Sequence, residues 1–337
     1  MNPLTLKDTI KAFHKIGRPL CVEGSPGVGK TQIIQQSAEE LNIKCITKHL
    51  PTMLVEDFGI LFPNGNQTLH YRLPDWFPTL AKDGESGILL FDDRNQGGND
   101  LQKVLANITQ ARELHGHRLP DGWSVMSTGN RQKDRAGSNK VLSHLRNRET
   151  VVELDVSIDD WVLWASGAGV NPMLISFAMF RPNLLNAFEA NNDVNATPRS
   201  WVEGVGRVMD KCSHIGDEAL MECYSGAVGD GPATEFMSYM AVASKLPDID
   251  QVIREAKTYP IPKEVSVKYA LTGALANAAN QQNFDKITDF FVRWSEKEFA
   301  ILCVKIIGNI PGNEKYGYWK GFSRWVEEFE DVLMAQK

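Results

Sequence analysis

The chain has 337 residues, 42% hydrophobic and 23% charged, with a formal net charge of -6 and a pI of about 5.7. That length suffices for two or three domains with real cores, and the acidic balance excludes a surface given over wholly to nucleic acid while leaving a local basic channel open. No run approaches the roughly 18 uninterrupted apolar residues of a membrane span, and the opening "MNPLTLKDTIKAFHKIG" has no apolar core followed by a cleavage site, which argues against a signal peptide. Cys21, Cys45, Cys212, Cys223 and Cys303 are odd in number, widely spaced and without a Cys-x-x-Cys pair, so they read as reduced core thiols in a cytoplasm rather than a disulfide framework or zinc site.

In chain order, residues 4–16 read as a short helix with Thr5 and Asp8 at capping-box spacing. "RPLCVEG" (18–24) is a short apolar run ending in glycine, a buried strand; a helix fits 30–41 and a second strand 43–50. Asn64-Gly65 between extended flanks marks a hairpin. "GILLFD" (87–92) is a continuous apolar strand of the buried parallel type, followed by a helix over 99–111, a second hairpin over 113–123 and strands at 124–130 and 149–155. Alternating strands and helices predict an α/β domain with a parallel sheet over about 1–155. After Asp155 the pattern changes: Ser157 caps a helix, and from there nearly everything reads as helix, broken by "GVNP", "RPN", "NNDVNATP", "GDGP" and "YPIP".

"GSPGVGKT" (24–31) is a complete G-x-x-x-x-G-K-[ST] between a predicted strand and a predicted helix, the context that makes such a match specific. Gly24, Ser25, Pro26, Gly27, Val28, Gly29, Lys30, Thr31 and Gln32 would form the phosphate cradle of ATP. The glycines let backbone N–H groups wrap the phosphates, and the helix N-terminus adds positive potential. Lys30 would reach the β/γ-phosphates and Thr31 would ligate Mg²⁺. Asp92, ending a buried strand, sits where a metal-bridging carboxylate belongs; the bland alternative is a strand-end acid capping a turn. Asp93 is read either as the carboxylate that positions water or as a solvated turn residue. Asn130, closing "VMSTGN", would orient water or touch the γ-phosphate, although Gly-Asn is also a common turn pair.

Taken together, "GSPGVGKT", "GILLFDD", "STGN…DRAG" and "LRNRE" in this order resemble the MoxR-type branch of the AAA+ ATPases, which is similar to midasin and dynein modules; the likeness covers roughly 1–245. It implies an α/β P-loop fold with a parallel sheet flanked by helices, followed by an all-α lid and an α-helical C-terminal extension. The expected domains are 1–155 for nucleotide binding, 156–246 for the lid and 247–337 for the extension. A homo-oligomeric ring, usually a hexamer, is further implied, with ATP between subunits in the cytoplasm of a bacterium or a phage-infected host. Arg148 is then the first choice for the arginine finger and Arg146 the second, because an arginine stays charged and forks onto γ-phosphate oxygens. Arg199 falls at the position of the sensor-2 arginine, acting within its own subunit or on a neighbour, and Arg135 in "DRAG" is another interface candidate. The departure from the family is Asp93 where a glutamate usually stands. It keeps the carboxylate but is shorter by about 1.5 Å, which predicts a working but slow ATPase.

Three functions follow. The first is ATP-driven remodelling of a protein assembly, which in this family often involves a von Willebrand A-type partner. The second is a nucleic-acid motor or loader, and the third a nucleotide-gated scaffold with little turnover. The aromatics Phe58, Phe62, Tyr71, Trp76 and Phe77 of the first hairpin either face a ring pore or pack on their own domain. His115 and His117 are expected on one strand face, without a third metal ligand.

Overall fold

The computed structural model describes residues 1–65, 68–134, 141–212, 214–310, 312–313 and 315–335. The chain divides into two compact units: Met1–Val156 with Phe188–Asn191, and Ser157–Ala187 with Asn192–Lys337.

Among the described residues the first unit holds nine strands: β1 Leu20–Gly24, β2 Lys44–His49, β3 Ile60–Pro63, β4 Leu69–Arg72, β5 Ser86–Asp92, β6 Glu113–Leu114, β7 His117–Arg118, β8 Gly122–Asn130 and β9 Thr150–Glu153. Five of them form one parallel sheet in the order β2-β5-β8-β1-β9. Residues 87–91 of β5 carry no polar side chain because both faces of the strand are covered, as parallel sheets require. Ile88 and Leu90 join Leu6, Ile10, Leu20, Val22, Ile33 and Ile34 on one side. Leu89 and Phe91 join Phe58, Phe77, Leu101, Leu105 and Trp123 on the other. Gly87 is required at the foot of β5: a Cβ there would lie 2.6 Å from the Trp123 ring and 2.8 Å from the Lys44 carbonyl oxygen.

Helix Pro3–Ile16 is capped by Asn2, whose Oδ1 accepts from the Thr5 N–H at 2.8 Å, so the cap lies three residues before the one expected. Pro3 explains the shift, because a proline suits the first helical position, where no N–H partner is needed. Helix Lys30–Glu40 follows β1, and helix Asn99–Ala111 follows β5. Both hairpins form, β3 with β4 and β6 with β7.

In the second unit Ser157 Oγ accepts from the Asp160 N–H and starts helix Ile158–Gly167. Asn171 caps Pro172–Phe180 in the same way. A π-helical stretch, Ser200–Gly206, carries the buried Trp201, whose Nε1 donates to the Leu184 carbonyl at 2.7 Å. The C-terminal helices close on a core that includes Leu271, Leu275, Phe284, Phe290, Phe291, Trp294 and Phe329. Apolar residues of "FDKITDFFVRWSEKEFAILCVKII" are therefore core rather than a free docking face. Among the described residues no helix is long and apolar enough to cross a membrane.

Candidate nucleotide site

β1 ends at Gly24, and the chain turns through Ser25–Gly29 into helix Lys30–Glu40. Gly27 (φ 75°) and Gly29 (φ 90°) occupy the left-handed region that residues with a Cβ avoid. A Cβ on Gly24 would lie 3.0 Å from the Leu154 carbonyl oxygen, so the first glycine packs closely on the backbone just past β9. The helix that follows has neither a side-chain cap nor an acidic residue in its first turn. Its leading N–H groups therefore face the loop as donors for an anion. Lys30 is 6% exposed. Its Nζ donates to the carbonyls of Gly24 (3.1 Å) and Ser25 (3.0 Å) and to Asn130 Oδ1 (2.9 Å).

Asp92 lies two strands away, across β8. Its Oδ1 accepts from the hydroxyls of Thr31 and Thr128, each at 2.5 Å, and its Oδ2 lies 3.0 Å from His49 Nδ1. The parallel register explains the last contact, because it sets His49 of β2 opposite Asp92 of β5. Thr128 also accepts from the Asp93 N–H at 2.9 Å, and its carbonyl takes the Arg94 N–H. These bonds hold Asp93 at φ 52°, a left-handed conformation that aspartate tolerates better than most residues. The Thr31 hydroxyl and the Asp92 carboxylate form an all-oxygen donor pair at the foot of the loop, which fits a hard divalent ion such as Mg²⁺.

Three supports were not expected. Asn95 Nδ2 donates to the Asn130 carbonyl at 2.7 Å, and the Asn130 N–H donates back to Asn95 Oδ1 at 3.1 Å, which fixes the tip of β8. Beneath the site, the fully buried Arg94 pairs with Glu23 Oε1 through Nη2 (2.9 Å) and with Glu149 Oε2 through Nη1 (2.9 Å), and its Nε reaches Cys21 Sγ. Burial, the largest influence, holds the Glu149 carboxyl above its ordinary value, and Arg94 pulls against it. Burial likewise pushes the Cys21 thiol up to about 12. Arg131 adds a bond to Ser25 Oγ in the loop and an ion pair to Asp134 at 2.9 Å. Sequence reading missed His49, Arg94, Asn95, Thr128 and Arg131. His49 and Thr128 carried a usable signal, since polar residues at the C-terminal ends of parallel strands line the ligand crevice.

Of the expected site residues, the fold brings Lys30, Thr31, Asp92 and Asn130 together at one edge of the sheet, with Asp93 next to Asp92. Arg146 is exposed and 3.8 Å from Glu23 Oε2. Arg148 is partly exposed and has no ion pair among the described residues. Arg199 is an exposed residue of the second unit, just before the π-helical stretch. Arg135 lies outside the described residues.

The two histidines do not share a strand face. His115 sits in the turn between β6 and β7 at φ 50°, stacks on Tyr71 (centroids 3.7 Å apart, planes 4°) and contacts the Phe58 carbonyl at 3.1 Å, whereas His117 opens β7. The turn through Gly116 (φ 84°) separates them. Phe58 and Phe77 are buried in their own unit, and Trp76 packs edge-on to Phe58 at 5.3 Å, as the packing reading of these aromatics has it.

A parallel sheet with a glycine loop from the end of β1 into a helix, a buried loop lysine and a strand-end acid facing the loop threonine defines a phosphate-loop α/β fold. No protein-family model and no curated protein matches the chain. Among solved structures it is similar to a point mutant of RuvB from Thermotoga maritima, at 14% identity and a TM-score of 0.39, covering 82% of this chain and 80% of that one. It is also similar to a candidate ATPase from Cytophaga hutchinsonii, at 12% identity and a TM-score of 0.36, covering 96% and 88%.

Proposed function

We infer that this chain binds Mg-ATP and hydrolyses it as an AAA+ ATPase whose subunits form a homo-oligomeric ring, hexameric by the family resemblance. One observation carries the reading: Lys30, Thr31, Asp92 and Asn130 converge through direct hydrogen bonds at the C-terminal edge of β1, β5 and β8. The backbone of Gly24 to Gly29 and the uncapped helix end bind the phosphates. Lys30 exchanges its carbonyl acceptors for β/γ-phosphate oxygens. Thr31 and Asp92 hold the metal. When bound, the ion supplies charge neutralisation at the phosphate oxygens. Asp93 accepts a hydrogen bond from the attacking water and orients it, and Asn130 fixes its position beside Lys30.

Arg148 serves the neighbouring subunit's site as the arginine finger, with Arg146 as the second choice; its partial exposure and lack of an ion pair among the described residues support this. Arg199 is the sensor-2 arginine, in a lid spanning 156–246 that the extension 247–337 follows. The client is a protein assembly, with a von Willebrand A-type protein as the partner class. The acidic net charge and the exposed Ile60, Leu61 and Leu69 of the first hairpin support a protein client over nucleic acid. Phosphate release from Mg-ATP that Asp92→Asn abolishes tests the reading.

A further inference from the structure

The side of Asp92 that faces away from Thr31 has a use which Mg-ATP binding does not require. Its Oδ1 is taken by two hydroxyls, whereas Oδ2 points to His49 Nδ1 at 3.0 Å. His49, Asp92 and Asp93 each offer one ligand atom, and all three atoms lie within 4.8 Å of one another. The imidazole is half exposed and the Asp92 side chain is 13% exposed, so the three groups meet at a spot open to solvent on the His49 side and walled by the sheet on the other. The strands fix this arrangement: His49 and Asp92 end neighbouring parallel strands at the same level, and Asp93 is turned back by its left-handed backbone and its bond to Thr128.

The donor chemistry separates this cluster from an ordinary magnesium site. Mg²⁺ takes oxygen ligands in a tight octahedron and keeps its waters, whereas an imidazole beside carboxylates suits first-row transition ions, whose affinity rises from Mn²⁺ through Co²⁺ to Ni²⁺. We propose that His49, Asp92 and Asp93 form a mixed nitrogen–oxygen site for a divalent transition-metal ion of the Mn²⁺–Co²⁺ class, occupied without nucleotide and selective over Mg²⁺. This rests on the nucleotide reading only in that Asp92 and Asp93 are shared. Nδ1 is the ligating nitrogen, since it is the ring atom aimed at the carboxylates. On this view the metal is already seated on Asp92 when nucleotide arrives, and His49 sets which ion the enzyme uses.

The test is a titration of the full-length, nucleotide-free protein with Co²⁺ alone and with Mg²⁺ alone, by calorimetry. Proton NMR of the Co²⁺-loaded protein then looks for a solvent-exchangeable, paramagnetically shifted imidazole N–H. The expected result is one Co²⁺ per chain, bound at least about tenfold more tightly than Mg²⁺, together with one shifted imidazole resonance. His49→Gln should weaken Co²⁺ by about tenfold or more, leave Mg²⁺ unchanged and erase the resonance. His49→Ala should do the same, and a circular dichroism spectrum matching wild type shows that either variant is folded. Co²⁺ affinity unchanged in the His49 variants, absence of the shifted resonance, or no Co²⁺ binding without nucleotide would each overturn the proposal and leave His49 as a hydrogen-bond partner of Asp92. Lys30→Ala keeps the two failures apart. It should lose Mg-ATP binding yet take up Co²⁺ as wild type does. If it still bound Mg-ATP normally, the nucleotide reading would fail while the metal site stood.

Discussion

Replacing Arg94 with methionine removes a fully buried charge from the first unit. Arg94 is fully buried, with Glu23 and Glu149 each 2.9 Å away and both buried as well. Removing the guanidinium alone strands two carboxylates out of water. Breaking a buried ion pair in this way costs about 3–5 kcal/mol. At about 2–4 °C per kcal/mol for a unit of this size, the melting temperature should fall by about 6–20 °C. The loss should also depend on pH. Without Arg94, the Glu149 carboxyl, already held above its ordinary 4.5 by burial, moves further up. A carboxyl raised in the folded state adds stability below its unfolded value, and that stability is lost as pH rises through the folded one. The gap between variant and wild type should therefore be wider at pH 8 than at pH 5. Combining Arg94→Met with Glu23→Gln and Glu149→Gln removes all three charges and should recover most of the loss. Calorimetric melting of the three proteins at both pH values is the assay. An Arg94→Met protein melting within about 2 °C of wild type, or a triple variant no better than the single one, would refute the reasoning.

Asp93→Asn should bind Mg-ATP as wild type does but turn over about 10² to 10⁴ times more slowly, measured by single-turnover phosphate release; unchanged turnover would return Asp93 to the role of a turn residue. Mixed with Lys30→Ala subunits, Arg148→Ala subunits should regain activity at interfaces that pair an intact loop with an intact finger, whereas activity per subunit that stays constant down to monomeric dilution excludes a shared site. In the second unit, the bond from Lys268 holds the Glu296 carboxyl down to about 2. A depressed carboxyl adds stability above its ordinary 4.5 that is lost as pH falls toward about 2, so Glu296→Gln should flatten that part of the acid-unfolding curve.

The local elements were readable because each carries its own cause. "GILLFD" is apolar without alternation since Ile88 and Leu90 face one core and Leu89 and Phe91 the other. The phosphate loop declares itself through glycines that its backbone angles require. What the one-dimensional pattern lacks is strand order. Only the sequence β2-β5-β8-β1-β9 brings His49 beside Asp92 and Asn130 beside Lys30. Arg94 shows a second limit: a charged residue after two acids reads as a solvated turn, and nothing nearby in the chain signals that Glu23 and Glu149 converge on it from distant segments. His115 and His117 show a third, because their alternation mimics a strand face until the turn at Gly116 reverses the chain between them. Arg148 and Arg199 were chosen by family position, which no local pattern in the chain replaces; the mixing experiment tests Arg148.

Steady-state phosphate release from Mg-ATP by the full-length protein, compared with Asp92→Asn, tests the nucleotide-hydrolysis reading most directly. Asp92 Oδ1 accepts from Thr31 and Thr128 at 2.5 Å, and the proposed metal site depends on this carboxylate. The expected result is slow but measurable release that requires the divalent ion, rises with protein concentration as subunits assemble, and disappears in Asp92→Asn. Release that survives in Asp92→Asn at the wild-type rate, or no release from the wild-type protein at any concentration with Mg²⁺, Mn²⁺ or Co²⁺ present, would contradict it.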